Sequence, residues 1–122
     1  MGIGSHGAAH RTWRHLPPNE LEEELAGSKR VLEEICGFPI DRAACPFGEY
    51  DRRVLQVLRS AGYRFVYTSD GGCAAASQWL RARTTVTRLM PLGEIERLIR
   101  HGPGAWKQAS IGVRTFIKRL RP

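Results

Sequence analysis

Residues 42–68 read Arg-Ala-Ala-Cys-Pro-Phe-Gly-Glu-Tyr-Asp-Arg-Arg-Val-Leu-Gln-Val-Leu-Arg-Ser-Ala-Gly-Tyr-Arg-Phe-Val-Tyr-Thr. The run 42–45 is short, apolar in its last three residues and closed by Pro46, the pattern of a buried strand that stops where a proline denies the next ladder N–H. Gly48-Glu49-Tyr50-Asp51 is a turn and helix start, and Asp51 suits the N-cap, where a carboxylate accepts a first-turn N–H. Val54, Leu55, Val57, Leu58 and Ala61 form the apolar side of the next helix, and Gly62 ends it. Tyr63 to Thr68 then reads as a second strand. Parallel strands need a crossover of this length, so strand–helix–strand predicts a parallel α/β unit.

Toward the N-terminus, Ile3-Gly4-Ser5-His6 reads as the end of a strand entering a loop. Pro17-Pro18-Asn19-Glu20 introduces a helix, with Pro18 in its first turn and Glu20 and Glu22 to Glu24 at the positive end of the dipole. Leu21, Leu25, Ser28, Leu32 and Ile35 recur at spacings of four and three, which predicts one buried face, and Gly37 is the stop. Toward the C-terminus, Ser69-Asp70-Gly71-Gly72 is a loop, Thr84 to Thr87 a short strand candidate and Leu92 to Arg100 a helix. His101-Gly102-Pro103-Gly104 reads as a hinge. Trp106, Ala109, Val113, Phe116 or Ile117, and Leu120 then mark a final amphipathic helix. The expected organisation is one α/β unit over residues 1–102 and a basic amphipathic helix over 103–122.

The 122 residues carry 19 Lys+Arg, 12 Asp+Glu and a formal charge of +7, enough chain for one core. The charge is localised. Residues 100–122 hold Arg100, Lys107, Arg114, Lys118, Arg119 and Arg121 with no acid, which leaves 13 basic and 12 acidic residues in 1–99. A nucleic-acid-binding domain spreads its basicity over a face of the fold, so this distribution argues against one. No apolar run approaches a membrane span, and residues 1–6 lack the pattern of a signal peptide, so the chain is cytoplasmic only as encoded and its compartment stays open. Cys36, Cys45 and Cys73, at spacings of 9 and 28, make neither a disulfide framework nor a zinc pattern and read as reduced, buried hydrophobes.

Two short stretches carry candidate chemistry. His6 and His10 stand four apart with small residues between, so on a helix or tight loop both imidazoles reach one metal ion; the alternative is a pair of solvated loop histidines. Pro46-Phe47-Gly48 lies at the C-terminal end of the 42–45 strand, where active sites of βα folds gather, and a backbone N–H beside a proline turn can be aimed at a developing oxyanion. Its alternative is an ordinary strand-to-helix turn. The flanking Asp41, Arg42, Glu49, Asp51, Arg52 and Arg53 read as solvated or capping charges. Trp13, just after His10, is a candidate sugar-stacking platform or a packing residue.

Taken in order, Ile3 to His10, Leu32 to Gly37, Ala44 to Asp51 and Ala61 to Thr68 resemble the polysaccharide deacetylase family (the NodB homology domain, carbohydrate esterase family four). The resemblance implies a distorted (β/α) barrel with a divalent metal, usually zinc, that removes acetyl groups from N-acetylated or O-acetylated sugars. It implies metal ligation by His6 and His10, an oxyanion-stabilising backbone N–H on Phe47 after Pro46, and a loop aspartate for which Asp70 is the candidate. The family's base aspartate and third metal ligand belong on a strand upstream of the histidines. Only five residues precede His6, so the expectation is a partial barrel lacking its first strands, with little or no acetate release by this chain alone. No leucine precedes His101 to make the late Leu-His motif of the family, and Ala44 stands where an arginine is often found. Two other readings stay open. The chain is a noncatalytic remnant that folds only with another chain supplying the missing strands, or it works as an interaction module whose 105–121 helix meets an anionic membrane, nucleic acid or a protein. For that helix the expected packing puts its apolar stripe on the barrel and its charges in water.

Overall fold

The structure, a computed structural model, describes residues 2–102 and the backbone of 105–120, without the side chains of 105–108 and 114. The Pro103-Gly104 half of the hinge, Arg121, and the side chains of Trp106, Lys107 and Arg114 of the predicted helix lie outside what is described. The elements in order are α1 (Pro18–Glu22), a π-helical turn (Glu23–Gly27), α2 (Ser28–Cys36), β1 (Arg42–Ala44), α3 (Arg52–Ser60), β2 (Phe65–Thr68), β3 (Leu80–Ala82), α4 (Leu92–His101) and α5 (Ala105–Leu120).

The strands form one parallel sheet in the order β1-β2-β3, with Ala43 opposite Val66 and Val66 opposite Leu80. Ser5 adds a parallel bridge to Ala43 on the outer edge of β1. Its N–H donates to Arg42 O at 2.8 Å and its carbonyl accepts from Ala44 N at 2.9 Å. One face of the sheet, through Ala43 and Val66, meets Trp13, Leu21, Leu25, Ile40, Tyr50, Val54 and Leu58 in the core. The other face is open. There Arg81 lies over the Phe65 ring, and a cavity of about 430 Å³ is lined by Ser5, His6, Arg42, Tyr67 and Arg83.

The helix predicted from 18 to 36 is continuous but contains the π turn. Leu21, Leu25 and Ser28 are buried and Leu32 packs on the core as expected, whereas Ile35 is 76% exposed. Cys36, four residues after Leu32 and so on the same helix face, packs on the core in place of Ile35. The third strand is Leu80–Ala82 and not Thr84 to Thr87. Hydrogen bonding to β2 selects it (Val66 N to Trp79 O at 2.8 Å, Arg83 N to Thr68 O at 2.9 Å), and that pairing outweighs the β-propensity of the threonine-rich stretch. Asp51 caps α3 as its position predicts, accepting from Val54 N at 2.9 Å. The cysteines are free, but only Cys45 is buried; Cys36 is half-buried and Cys73 exposed. Burial pushes the Cys45 thiol up to about 12.

α5 docks the opposite way round from the expectation. Val113 and Leu120 are each 63% exposed and Phe116 is 62% exposed, while Lys118 turns inward. The cause is polar. The Lys118 ammonium donates to Gly48 O at 3.0 Å and to Asp70 Oδ1 at 2.5 Å, partners that bulk water does not match inside a cleft.

A histidine pair and a strained turn at the sheet edge

The candidate residues converge at the C-terminal end of β1. His6 leaves the edge bridge, and its Nδ1 lies 2.7 Å from Ala44 O. A carbonyl only accepts, so Nδ1 carries the proton and Nε2 presents its lone pair. That Nε2 lies 3.1 Å from His10 Nε2. His10 reaches this position with φ of 51°. Its ring packs on Phe47, centroids 4.8 Å apart, and Phe47 has φ of 55°. Among the described residues His10 and Phe47 are the only non-glycines with positive φ, and their rings touch. Left-handed backbone at a non-glycine residue costs on the order of 1–3 kcal/mol and persists where surrounding contacts enforce it, most often at functional sites.

The enforcing contacts are visible. Gly48 N donates to Cys45 O and Glu49 N to Pro46 O, which closes the turn around Phe47. A Cβ on Gly48 would stand 2.8 Å from Ser69 Cβ, so the 46–48 turn abuts the loop after β2. Thr12 Oγ1 donates to Glu49 Oε2 at 2.6 Å, tying the loop after His10 to this turn. Glu49 is therefore a brace and not one of the solvated charges.

The donor geometry suits a metal. Two imidazole nitrogens on one tetrahedral zinc, each about 2.0–2.1 Å from it, stand roughly 3.3–3.4 Å apart, close to the observed 3.1 Å. A backbone carbonyl on the other nitrogen of a ligating histidine is the usual orienting partner. Among the described residues no third His, Cys, Asp or Glu joins the pair.

Asp70 and Trp13 take other places. Asp70 is buried at the end of β2, accepting from Tyr50 Oη at 2.8 Å and from Lys118. Burial alone would raise its carboxyl; hydrogen bonds from Lys118, Tyr50 and Thr68 outweigh that and hold it below the ordinary range. Burial first, and then the bond to Asp70, raises the Tyr50 hydroxyl. Asp70 thus joins Lys118 and the Gly48 carbonyl rather than the histidines. Trp13 is fully buried in the core, so its ring faces are not available for sugar stacking, and it is the packing residue of the two alternatives. Glu24 is the residue whose role the sequence hides. It is buried, and its two carboxylate oxygens accept from Ala8 N and Ala9 N, each at 3.0 Å.

The chain as a whole is similar to known proteins. A model of the polysaccharide deacetylase family matches residues 1–66, so the chain belongs to that family. It is 26% identical over 82 residues to YxkH of Bacillus subtilis (strain 168), whose name places it among polysaccharide deacetylases; the match takes in 67% of this chain and 29% of YxkH. The structure of BC0361, a polysaccharide deacetylase from Bacillus cereus, is 26% identical and superposes with a TM-score of 0.69 over 81% of this chain and 32% of its own. Streptococcus pyogenes deacetylase PplD, solved in complex with acetate, shares the fold at 21% identity, with a TM-score of 0.71 over 83% of this chain and 44% of its own. The chain therefore spans less than half the length of each of these relatives.

Proposed function

We propose that this chain carries the histidine and oxyanion-donor parts of a metal-dependent carbohydrate deacetylase that acts on N-acetyl or O-acetyl groups of sugars. The observation that supports this most is the meeting of two strained residues, His10 and Phe47, beside a second imidazole whose tautomer is fixed. His6 and His10 would hold a divalent metal, with zinc favoured by the nitrogen donors. Such a metal supplies Lewis-acid polarisation of an acetyl carbonyl and a lowered pKa for water. Ala44 O keeps the His6 proton on Nδ1. The N–H of Phe47, which the two bonds closing the turn do not use, is the donor for charge developing on the acetyl oxygen, with Pro46 stiffening its approach. The open sheet face beside His6 receives the sugar.

The partial-barrel reading goes with this. Parallel sheets are ordinarily covered on both faces, and here, among the described residues, arginine side chains lie over Phe65 and Tyr67 on one face of the three strands, beside a cavity. Further strands, from the same polypeptide or a second chain, would close it. They would bring the third ligand and the general base, whose contribution is typically about 10²–10⁴-fold. Without them acetate release from an N-acetylglucosamine oligomer stays at or near background.

Acetate binding tests the half-site without needing turnover. With zinc present, acetate is expected to shift the Phe47 amide resonance, and the His6→Ala/His10→Ala variant removes the shift. A Phe47 amide that is silent to acetate, or that shifts equally without zinc, contradicts the reading.

The outward stripe of α5 favours a second activity for the C-terminal unit. Val113, Phe116, Ile117 and Leu120 lie at i, i+3, i+4 and i+7, all about half exposed or more, within residues 100–122, which carry six cations and no acid. This is the pattern of a helix lying in an anionic membrane surface. Co-sedimentation with vesicles containing phosphatidylglycerol should exceed that with phosphatidylcholine alone and fall in Phe116→Ser/Ile117→Ser. Equal binding to both vesicles contradicts it.

A further inference from the structure

We infer that Glu24 is the positioning residue of the histidine loop, its carboxylate setting the path of residues 7–9 and so the convergence of the two imidazoles. The inference rests on the reading of His6 and His10 as a metal pair.

The loop between the histidines has no ladder or helix to satisfy its backbone. Three consecutive N–H groups go to side chains instead. Gly7 N donates to Ser5 Oγ at 3.2 Å, while Ala8 N and Ala9 N donate to Glu24 Oε2 and Oε1. Ser5 Oγ in turn lies 2.7 Å from Ser28 Oγ. Glu24 and Ser28 both belong to the π-turn region, so one local distortion of the helix supports the whole loop. π turns of this kind recur at functional sites because they re-aim side chains.

The fit is close. Gly7 has φ of 85°, and a Cβ there would collide with the Glu24 carboxylate and approach the buried, unpartnered Trp13 indole N–H. The loop is therefore laid against the carboxylate, and His10 enters its left-handed conformation immediately after Ala9. An anion accepting two N–H groups with both oxygens is a stronger and more directional anchor than a neutral group. Glutamine in its place keeps one acceptor and turns the other position into a donor facing an N–H. Glu24 touches neither histidine ring in the hydrogen bonds described, so it acts through the backbone.

Zinc affinity, measured by chelator competition on the full chain, tests this alongside urea stability. Outer partners of metal ligands typically account for about 10–100-fold in affinity. Glu24→Gln is expected to weaken zinc binding by that factor. Leu58→Ala, which destabilises the core from α3 with no change to the loop or its hydrogen-bond partners, is expected to leave the affinity within about twofold. If Leu58→Ala loses as much as Glu24→Gln, Glu24 acts through stability alone and the inference fails. If His6→Ala/His10→Ala abolishes binding and Glu24→Gln leaves it unchanged, the inference fails while the metal pair stands. If the histidine variant binds as well as the wild type, the metal pair itself falls, and this inference with it. Should Glu24→Gln not fold, Glu24→Asp keeps the charge and withdraws it by one methylene; weaker zinc binding supports the inference and unchanged binding overturns it.

Discussion

Residues 2–70 and residues 71–120 are stabilised differently. Every fully buried apolar side chain described, from Trp13 to Val66, lies in the first region, whereas α4 buries none and leaves Leu92 and Ile99 exposed. The second region joins the first through β3, through Trp79, whose indole donates to Tyr63 O at 2.7 Å, and through Lys118 on Asp70. The contrast shows what a functional site needs. Two left-handed non-glycine residues occur in the region whose core and side-chain anchors can enforce them, and among the described residues none occurs in the loosely held region.

Core truncation puts this contrast at greatest risk. Leu58→Ala removes a fully buried side chain and should cost about 2–5 kcal/mol in urea unfolding. Leu92→Ala, in exposed α4, should stay within about 0.5 kcal/mol. Similar costs for the two would mean that the regions share one core.

Lys118 tests the joint between the regions. Lys118→Met leaves the Asp70 carboxylate buried without its ammonium and should cost about 1–3 kcal/mol. Its pH dependence is more specific. The folded pKa of Asp70 is depressed, so its stabilising contribution is present above the ordinary carboxylate range near 4 and is lost as pH falls through the lower folded value. In Lys118→Met burial is no longer offset by the ammonium, the folded pKa of Asp70 rises toward or past the unfolded value, and the loss on acidification should shrink or reverse, as read by thermal melting between about pH 6 and pH 3. An unchanged acid limb would show that the Lys118–Asp70 contact does not join the regions.

A still smaller change concerns strain. Phe47→Gly relieves a left-handed residue whose side chain is 66% exposed, so stability should rise by up to about 1 kcal/mol. A loss of similar size would show that the ring contact with His10 outweighs the backbone cost.

The parallel unit was legible because its cues are local. Pro46 and Gly62 end their elements, Asp51 caps α3, and Val54 and Leu58 repeat at the helical period. The histidine and Pro-Phe pieces were legible as motifs. Their contact was not, since it depends on two left-handed residues that no residue type announces. Glu24 looked like one of several dipole-favoured acids because its partners are backbone N–H groups 15 and 16 residues away, which leave no side-chain signature. The π turn was hidden as well, and the choice of Cys36 over Ile35 on the buried face lies between two positions of one helical turn, where the more apolar residue was the natural expectation. The inward turn of Lys118 opposed the amphipathic rule, because one buried carboxylate outweighed an apolar stripe.

Whether the two imidazoles form a metal site is decided by zinc titration at neutral pH, comparing the wild type with His6→Ala and His10→Ala. One zinc per chain is expected in the wild type, with at least about tenfold weaker binding in each single variant. Binding of equal strength and stoichiometry in the variants and the wild type would contradict the metal pair.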